Sequence, residues 1–150
     1  MYYVAYGSNM NLEQMEYRCP NSKVVGTGVI KDWKLVFNTH ADIIPCDGEY
    51  VPVVVWDISE DDWGYLDKYE GYPTYYKRDV VDVEMDNGEN ETCQVYVMND
   101  DRKGFYPPFE YYFSTIVEGY YDNNIDDTSA LYRALEESWE NNEGEMKEAK

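Results

Sequence analysis

Apolar and polar positions along the chain switch between two periods, and the switches outline its elements. Residues 2–6 form a short β-type run that stops at Gly7-Ser8-Asn9. Asn11 then stands where an N-cap would, with Gln14 three residues on, so residues 12–18 are predicted as a short helix ended by Pro20-Asn21. β-Branched and aromatic residues recur over residues 23–30 and 33–38, which predicts two strands. Pro45 and Asp47-Gly48 make residues 39–50 a loop on this pattern. The near-continuous apolar run over residues 51–58 marks a strand buried on both faces.

Ser59 is an expected N-cap, followed by Glu60, Asp61 and Asp62 in the first turn, where the helix dipole favours acid. Trp63, Leu66 and Tyr69 or Glu70 repeat at helical spacing, and Gly71 falls where a C′ glycine ends a helix. Residues 75–85 return to period two, with Val81, Val83 and Met85 facing one way. Asn87-Gly88 signals a type I′ hairpin, and residues 92–98 supply the returning strand. After a loop at residues 100–108, helical patterns cover residues 109–120 and 128–139, the second with Leu131 and Leu135 on one face. Residues 140–150 are a polar tail expected to fray, leaving residues 1–139 as the domain. Antiparallel strands with interspersed helices make the fold class α+β rather than a doubly wound sheet.

Charge and composition narrow the function. With 12 Lys+Arg against 31 Asp+Glu, the formal charge is −19, which argues against nucleic acid and anionic membrane partners, because both need clustered cations. Seventeen tyrosines and four tryptophans argue against a disordered acidic chain. Cys19, Cys46 and Cys93 are too few and too widely spaced for a disulfide framework or a zinc ribbon. No export signal and no run of about 18 apolar residues is present, so a cytoplasmic protein is expected.

The same residues limit the chemistry. One histidine, His40, excludes a multi-histidine metal cage, and its polar surroundings suggest an ordinary solvated side chain. Gly26-Thr27-Gly28 lacks the third glycine of a dinucleotide loop and is better read as a strand irregularity or a point of close approach. Asp122-Asn123-Asn124-Ile125-Asp126 lacks the glycine and glutamate of a calcium loop. Carboxylates, tyrosines and backbone remain. Tyr6-Gly7-Ser8-Asn9, directly after a strand, is either an anion-binding nest or a plain capped turn. Glu70 is one of 31 acids, set apart by a helix C-terminus and by Tyr69, Tyr72, Pro73, Tyr75 and Tyr76. Burial and the dipole would both raise its pKa toward the range of a general acid/base. Tyr96, Tyr106, Tyr111, Tyr112, Tyr120 and Tyr121 are either core residues or the walls of a pocket.

Together these pieces resemble the γ-glutamylcyclotransferase family. The resemblance rests on Val4-Ala5-Tyr6-Gly7-Ser8-Asn9-Met10, Leu66-Asp67-Lys68-Tyr69-Glu70-Gly71 and Thr92-Cys93-Gln94-Val95-Tyr96-Val97-Met98, in that order, with a tyrosine-bearing segment from Tyr112 to Gly119. It implies a small mixed, mainly antiparallel β-barrel flanked by α-helices. It also implies conversion of a γ-glutamyl amino acid or amine to 5-oxoproline plus the freed amino acid or amine, without metal or cofactor. Glu70 would be the general acid/base, and Tyr6, Gly7, Ser8, Asn9, Tyr76, Tyr96 and Tyr112 would bind the small-molecule γ-glutamyl substrate. Tyr75 and Tyr111 adjoin two of these, so a one-residue shift exchanges them. Tyr72-Pro73-Thr74-Tyr75-Tyr76 departs from the family's usual non-aromatic segment after Glu-Gly and bears on the leaving group. A cyclotransferase for a carrier-bound γ-glutamyl intermediate and a non-catalytic metabolite-binding module on the same fold stand as alternatives. A monomer or a homodimer is expected.

Overall fold

In the computed structural model, β1 (Tyr2–Ala5) runs antiparallel to the inner end of a long hairpin, β2 (Lys23–Asn38) and β3 (His40–Asp57). Residues 1–100 and 106–148 are described, with side chains through residue 142. A second hairpin, β4 (Tyr76–Met85) and β5 (Asn90–Met98), completes a closed barrel in the order β1-β3-β2-β4-β5. The pairing of β5 with β1, at Tyr2↔Cys93 and Tyr3↔Gln94, is parallel and the other pairings are antiparallel. Helices α1 (Leu12–Arg18), α2 (Glu60–Glu70), α3 (Glu110–Asp122) and α4 (Ser129–Glu148) flank it. The protein is thus an α+β fold built on a mixed barrel.

The caps act as the sequence predicts. Asn11 Oδ1 accepts from the Gln14 amide at 3.0 Å, and Ser59 Oγ accepts from the Asp62 amide at 3.3 Å. Gly71 ends α2 in the left-handed conformation at φ 65°. Val51, Val53, Val54, Val55 and Trp56 are all buried, as a strand covered on both faces requires. The β2–β4 seam is short, Gly28↔Met85 and Val29↔Glu84, and it depends on close approach: a Cβ on Gly28 would lie 2.4 Å from the Glu84 carbonyl oxygen.

Four expectations need correction. Residues 40–50 are strand, not loop, and β2 is continuous through residues 31–32. Lys31 pairs with Tyr50 while Trp33 pairs with Pro45, so Asp47-Gly48 are absorbed in a bulge and Pro45 keeps a place in the ladder beside it. The Gly48 amide donates there to Asp32 Oδ1 at 3.0 Å. The β4–β5 turn is not type I′, because Gly88 alone takes positive φ (89°) and Asn87 does not. Its three-residue loop, closed by Gly88 N–H to the Met85 carbonyl, has a type I turn followed by a glycine bulge. Finally, α4 does not stop near residue 139 but continues to Glu148. Leu131, Ala134 and Ser138, at helical spacing, form its buried stripe, whereas Leu135 is only half-buried. Of the loop expected at residues 100–108, residues 101–105 lie outside the described residues.

The core joins barrel residues, among them Val4, Val51 and Val83, to helix faces carrying Met15, Leu66, Ile116 and Leu131. All three cysteines are free. No helix among the described residues is long and apolar enough to cross a membrane.

Candidate active site

The end of β1 leads straight into a 3-10 turn at Ser8–Met10, and this junction forms the floor of a cavity of about 360 Å³. Ser8 and Asn9 are buried, and the Trp56 indole donates to the Asn9 carbonyl at 3.1 Å. The first amides of such a turn have no acceptor within it and are free for other partners. Gly7 is needed for space: a Cβ there would lie 3.1 Å from Ala41 Cβ and 3.4 Å from the Tyr112 hydroxyl.

Helix α2 delivers Glu70 to the same cavity from the opposite side of the sequence. Asn9 Nδ2 donates to Glu70 Oε1 at 3.2 Å and to the Tyr3 hydroxyl at 3.0 Å. Burial of the carboxyl raises its pKa to about 7, against the opposing pull of the Arg18 guanidinium. One turn earlier on α2, Asp67 holds Arg78 through both carboxylate oxygens and also accepts from the Tyr96 hydroxyl. That grip fixes the end of α2 against β4 and β5.

Tyrosines form the remaining walls. Tyr6 donates to the Tyr96 carbonyl at 2.7 Å and Tyr76 to the Ala41 carbonyl at 2.7 Å, while Tyr112 accepts from the Ala41 amide at 3.0 Å. Burial raises the pKa of all four phenols, so they act as neutral donors and acceptors. The register of the two tyrosine pairs is resolved differently in each. Tyr111 is 85% exposed and points away, leaving Tyr112 on the wall, whereas Tyr75 and Tyr76 both line the cavity. Tyr106 and Tyr121 are exposed, and Tyr120 is core.

His40 is the clearest departure from the sequence reading. It remains exposed, but it lines the cavity instead of a solvated loop. Its Nδ1 lies 3.1 Å from the Tyr75 hydroxyl, and its ring meets Tyr112 edge-on at 5.0 Å between centroids. Partial burial lowers its pKa, which keeps the imidazole neutral at pH 7.

The pattern of the family described as "Gamma-glutamyl cyclotransferase, AIG2-like" matches residues 3–114, which include the 3-10 turn, Glu70 and Tyr112. The chain belongs to this family. It is similar to the gamma-glutamylcyclotransferase of Bos taurus, 29% identical over 136 residues that cover 82% of this chain and 71% of that protein. The Homo sapiens gamma-glutamylcyclotransferase is 28% identical over the same coverage. A solved structure titled "Gamma-glutamyl cyclotransferase" superposes with a TM-score of 0.77 at 27% identity, covering 84% of this chain and 81% of that one.

In this member of the gamma-glutamyl cyclotransferase family, the cavity brings together Glu70, Tyr6, Gly7, Ser8 and Asn9 with Tyr76, Tyr96 and Tyr112. Sequence reasoning missed Tyr3, Ala41 and Tyr69 as lining residues, and His40 with them. Tyr3 adjoins one motif and Tyr69 lies within another, beside Glu70, so both could have been found from them. His40 and Ala41 carry no local signal, because their position depends on the β2–β3 turn bringing them to the mouth. Among the described residues no cluster of His, Cys, Asp and Glu could hold a metal ion.

Proposed function

We propose that the protein is a γ-glutamylcyclotransferase that converts a γ-glutamyl amino acid or amine to 5-oxoproline, with Glu70 as general acid/base. The observation that carries this reading is an enclosed carboxyl with a pKa of about 7, aimed into a tyrosine-walled cavity and hydrogen-bonded to Asn9. An acid/base works best when its pKa lies near the operating pH.

The substrate contains both reactants, so the enzyme's task is to fold it. Its α-amine attacks its own γ-carbonyl, forming the lactam C–N bond as the bond to the leaving nitrogen breaks. Ionised Glu70 takes one proton from the α-ammonium to free the attacking amine and returns it to the departing nitrogen; the second proton, lost as the attacking nitrogen becomes the lactam N–H, leaves with the released amine as its ammonium. The net reaction consumes no proton and needs no external nucleophile. Polar groups of residues 7–9 suit the γ-glutamyl head, whose carboxylate or developing oxyanion can accept from backbone amides. The neutral tyrosine hydroxyls supply further donors without adding charge. A site built only to pair with the α-ammonium of the head group would keep its carboxylate firmly ionised, whereas a carboxyl poised near pH 7 can take and return a proton, and this favours catalysis over simple binding.

The test is 5-oxoproline release, by mass spectrometry, from a panel of γ-glutamyl dipeptides and γ-glutamylamines. Wild type is expected to release it and Glu70→Gln to lose at least about a hundredfold in turnover, the usual contribution of a positioned acid/base. No release from any substrate by the folded wild type would instead support the metabolite-binding reading. The best substrate on the panel would name the leaving group.

A further inference from the structure

Behind the cavity, α1 ends on Arg18, a half-buried cation that is not among the residues lining it. Its guanidinium lies 3.2 Å above the centre of the Tyr69 ring, and its Nη1 donates to Asn9 Oδ1 at 2.6 Å. A side-chain amide has one accepting end and one donating end. With the oxygen taken by Arg18, the nitrogen is left to face Glu70 and Tyr3, at 3.2 and 3.0 Å. A flipped amide would set its oxygen against the Glu70 carboxylate and its NH₂ against the guanidinium, which is unfavourable at both ends. Stacking on Tyr69, the neighbour of Glu70, ties the cation to the same helix end.

We infer that Arg18 is a positioning residue: it locks the Asn9 amide in the sense that donates to Glu70 and supplies the cation that faces that carboxylate. The inference rests on the reading of Glu70 as the acid/base. Other groups facing Glu70 do not substitute for Arg18. Tyr3 and Tyr6 from β1, Tyr76 from β4, Tyr96 from β5 and Tyr112 from α3 are phenols held neutral by burial. β3 contributes His40, kept neutral, and the buried acid Asp42, which faces Tyr6 and Tyr76. On α2, Asp67 is engaged by Arg78 and Tyr96. Among the described residues, Arg18 is the cation that favours ionised Glu70.

Removing Arg18 therefore acts twice in one direction: it deletes the opposing charge and frees Asn9 to turn its oxygen toward Glu70. The experiment compares wild type, Arg18→Met and Arg18→Lys. It reads the Glu70 midpoint by carbon NMR of labelled glutamate, with Glu70→Gln to assign the signal, and the pH profile of kcat/KM. In Arg18→Met the midpoint is expected to rise by about one unit, with the acid limb of the profile moving by the same amount. Arg18→Lys, which keeps a cation and a donor, is expected to return most of that shift. A midpoint unmoved in folded Arg18→Met would overturn the inference. So would a midpoint in Arg18→Lys that stays with the Met variant, because Arg18 would then act only by packing on Tyr69. If Arg18→Met does not fold, Arg18→Gln carries the same prediction for loss of charge. The NMR midpoint needs no turnover, so a wild type without activity would sink the functional reading separately.

Discussion

Gly119 sets the distance between helix α3 and the turn that carries Asn9, and replacing it with alanine tests how tightly that distance is held. A Cβ at Gly119 would lie 2.8 Å from the Asn11 nitrogen and 2.9 Å from both the Met10 carbonyl carbon and Met10 Cβ. Comfortable carbon contacts begin near about 3.5 Å, so the helix must retreat by roughly half an ångström. Backbone atoms cannot rotate out of the way. The retreat is resisted by hydrogen bonds from Asn11 Nδ2 to the Thr115 carbonyl at 3.1 Å and from Asn123 Nδ2 to the Met10 carbonyl at 2.8 Å. Overpacking of this kind costs about 3 kcal/mol. Alanine returns about 1 kcal/mol of helix propensity, leaving a net loss near 2 kcal/mol. For a chain of this size that is a fall of about 4–8 °C in Tm. Thermal unfolding followed by circular dichroism measures it. Because Met10 adjoins Asn9 and α3 carries Tyr112, kcat/KM well below Tm is expected to fall as well. A variant as stable as wild type, or more stable, would show that propensity outweighs the contact and that the turn is free to yield.

Two further outcomes follow from the same geometry. Glu70 ionises near pH 7 when folded but near 4.5 when unfolded, so raising the pH through that window ionises the unfolded chain first and withdraws stability. The full penalty, up to about 3 kcal/mol, is present above pH 7. Glu70→Gln should therefore melt higher than wild type at pH 8 and converge with it near pH 4.5, and an offset that is independent of pH would refute this. Tyr112→Phe removes the acceptor of the Ala41 amide and should cost about 1 kcal/mol. Hydrogen exchange at Ala41 should accelerate in that variant; unchanged protection would mean that the tyrosine contact is not what shields the amide.

Several elements could be identified from the chain alone because their causes act over a few residues. The caps at Asn11 and Ser59, the glycine stop at Gly71 and the apolar run at Val51 to Trp56 are of this kind. The candidate site was also largely legible, since its two halves are contiguous motifs. That they belong to one site came from family resemblance, because residues 9 and 70 lie 61 positions apart and meet only when α2 packs beside β1. Tertiary structure alone decided the rest. Residues 40–50 have the local chemistry of a loop, yet pairing with β2 makes them strand, because hydrogen bonds from a distant partner outweigh the turn preference of Asp47-Gly48. The same pairing carries His40 to the cavity mouth. Tyr111 and Tyr112 have the same side chain, and the rotation of α3 against the barrel sends one to solvent and the other to the wall. Local chemistry specifies where an element starts and stops; which face it buries, and beside what, is set by contacts the chain makes only once it is folded.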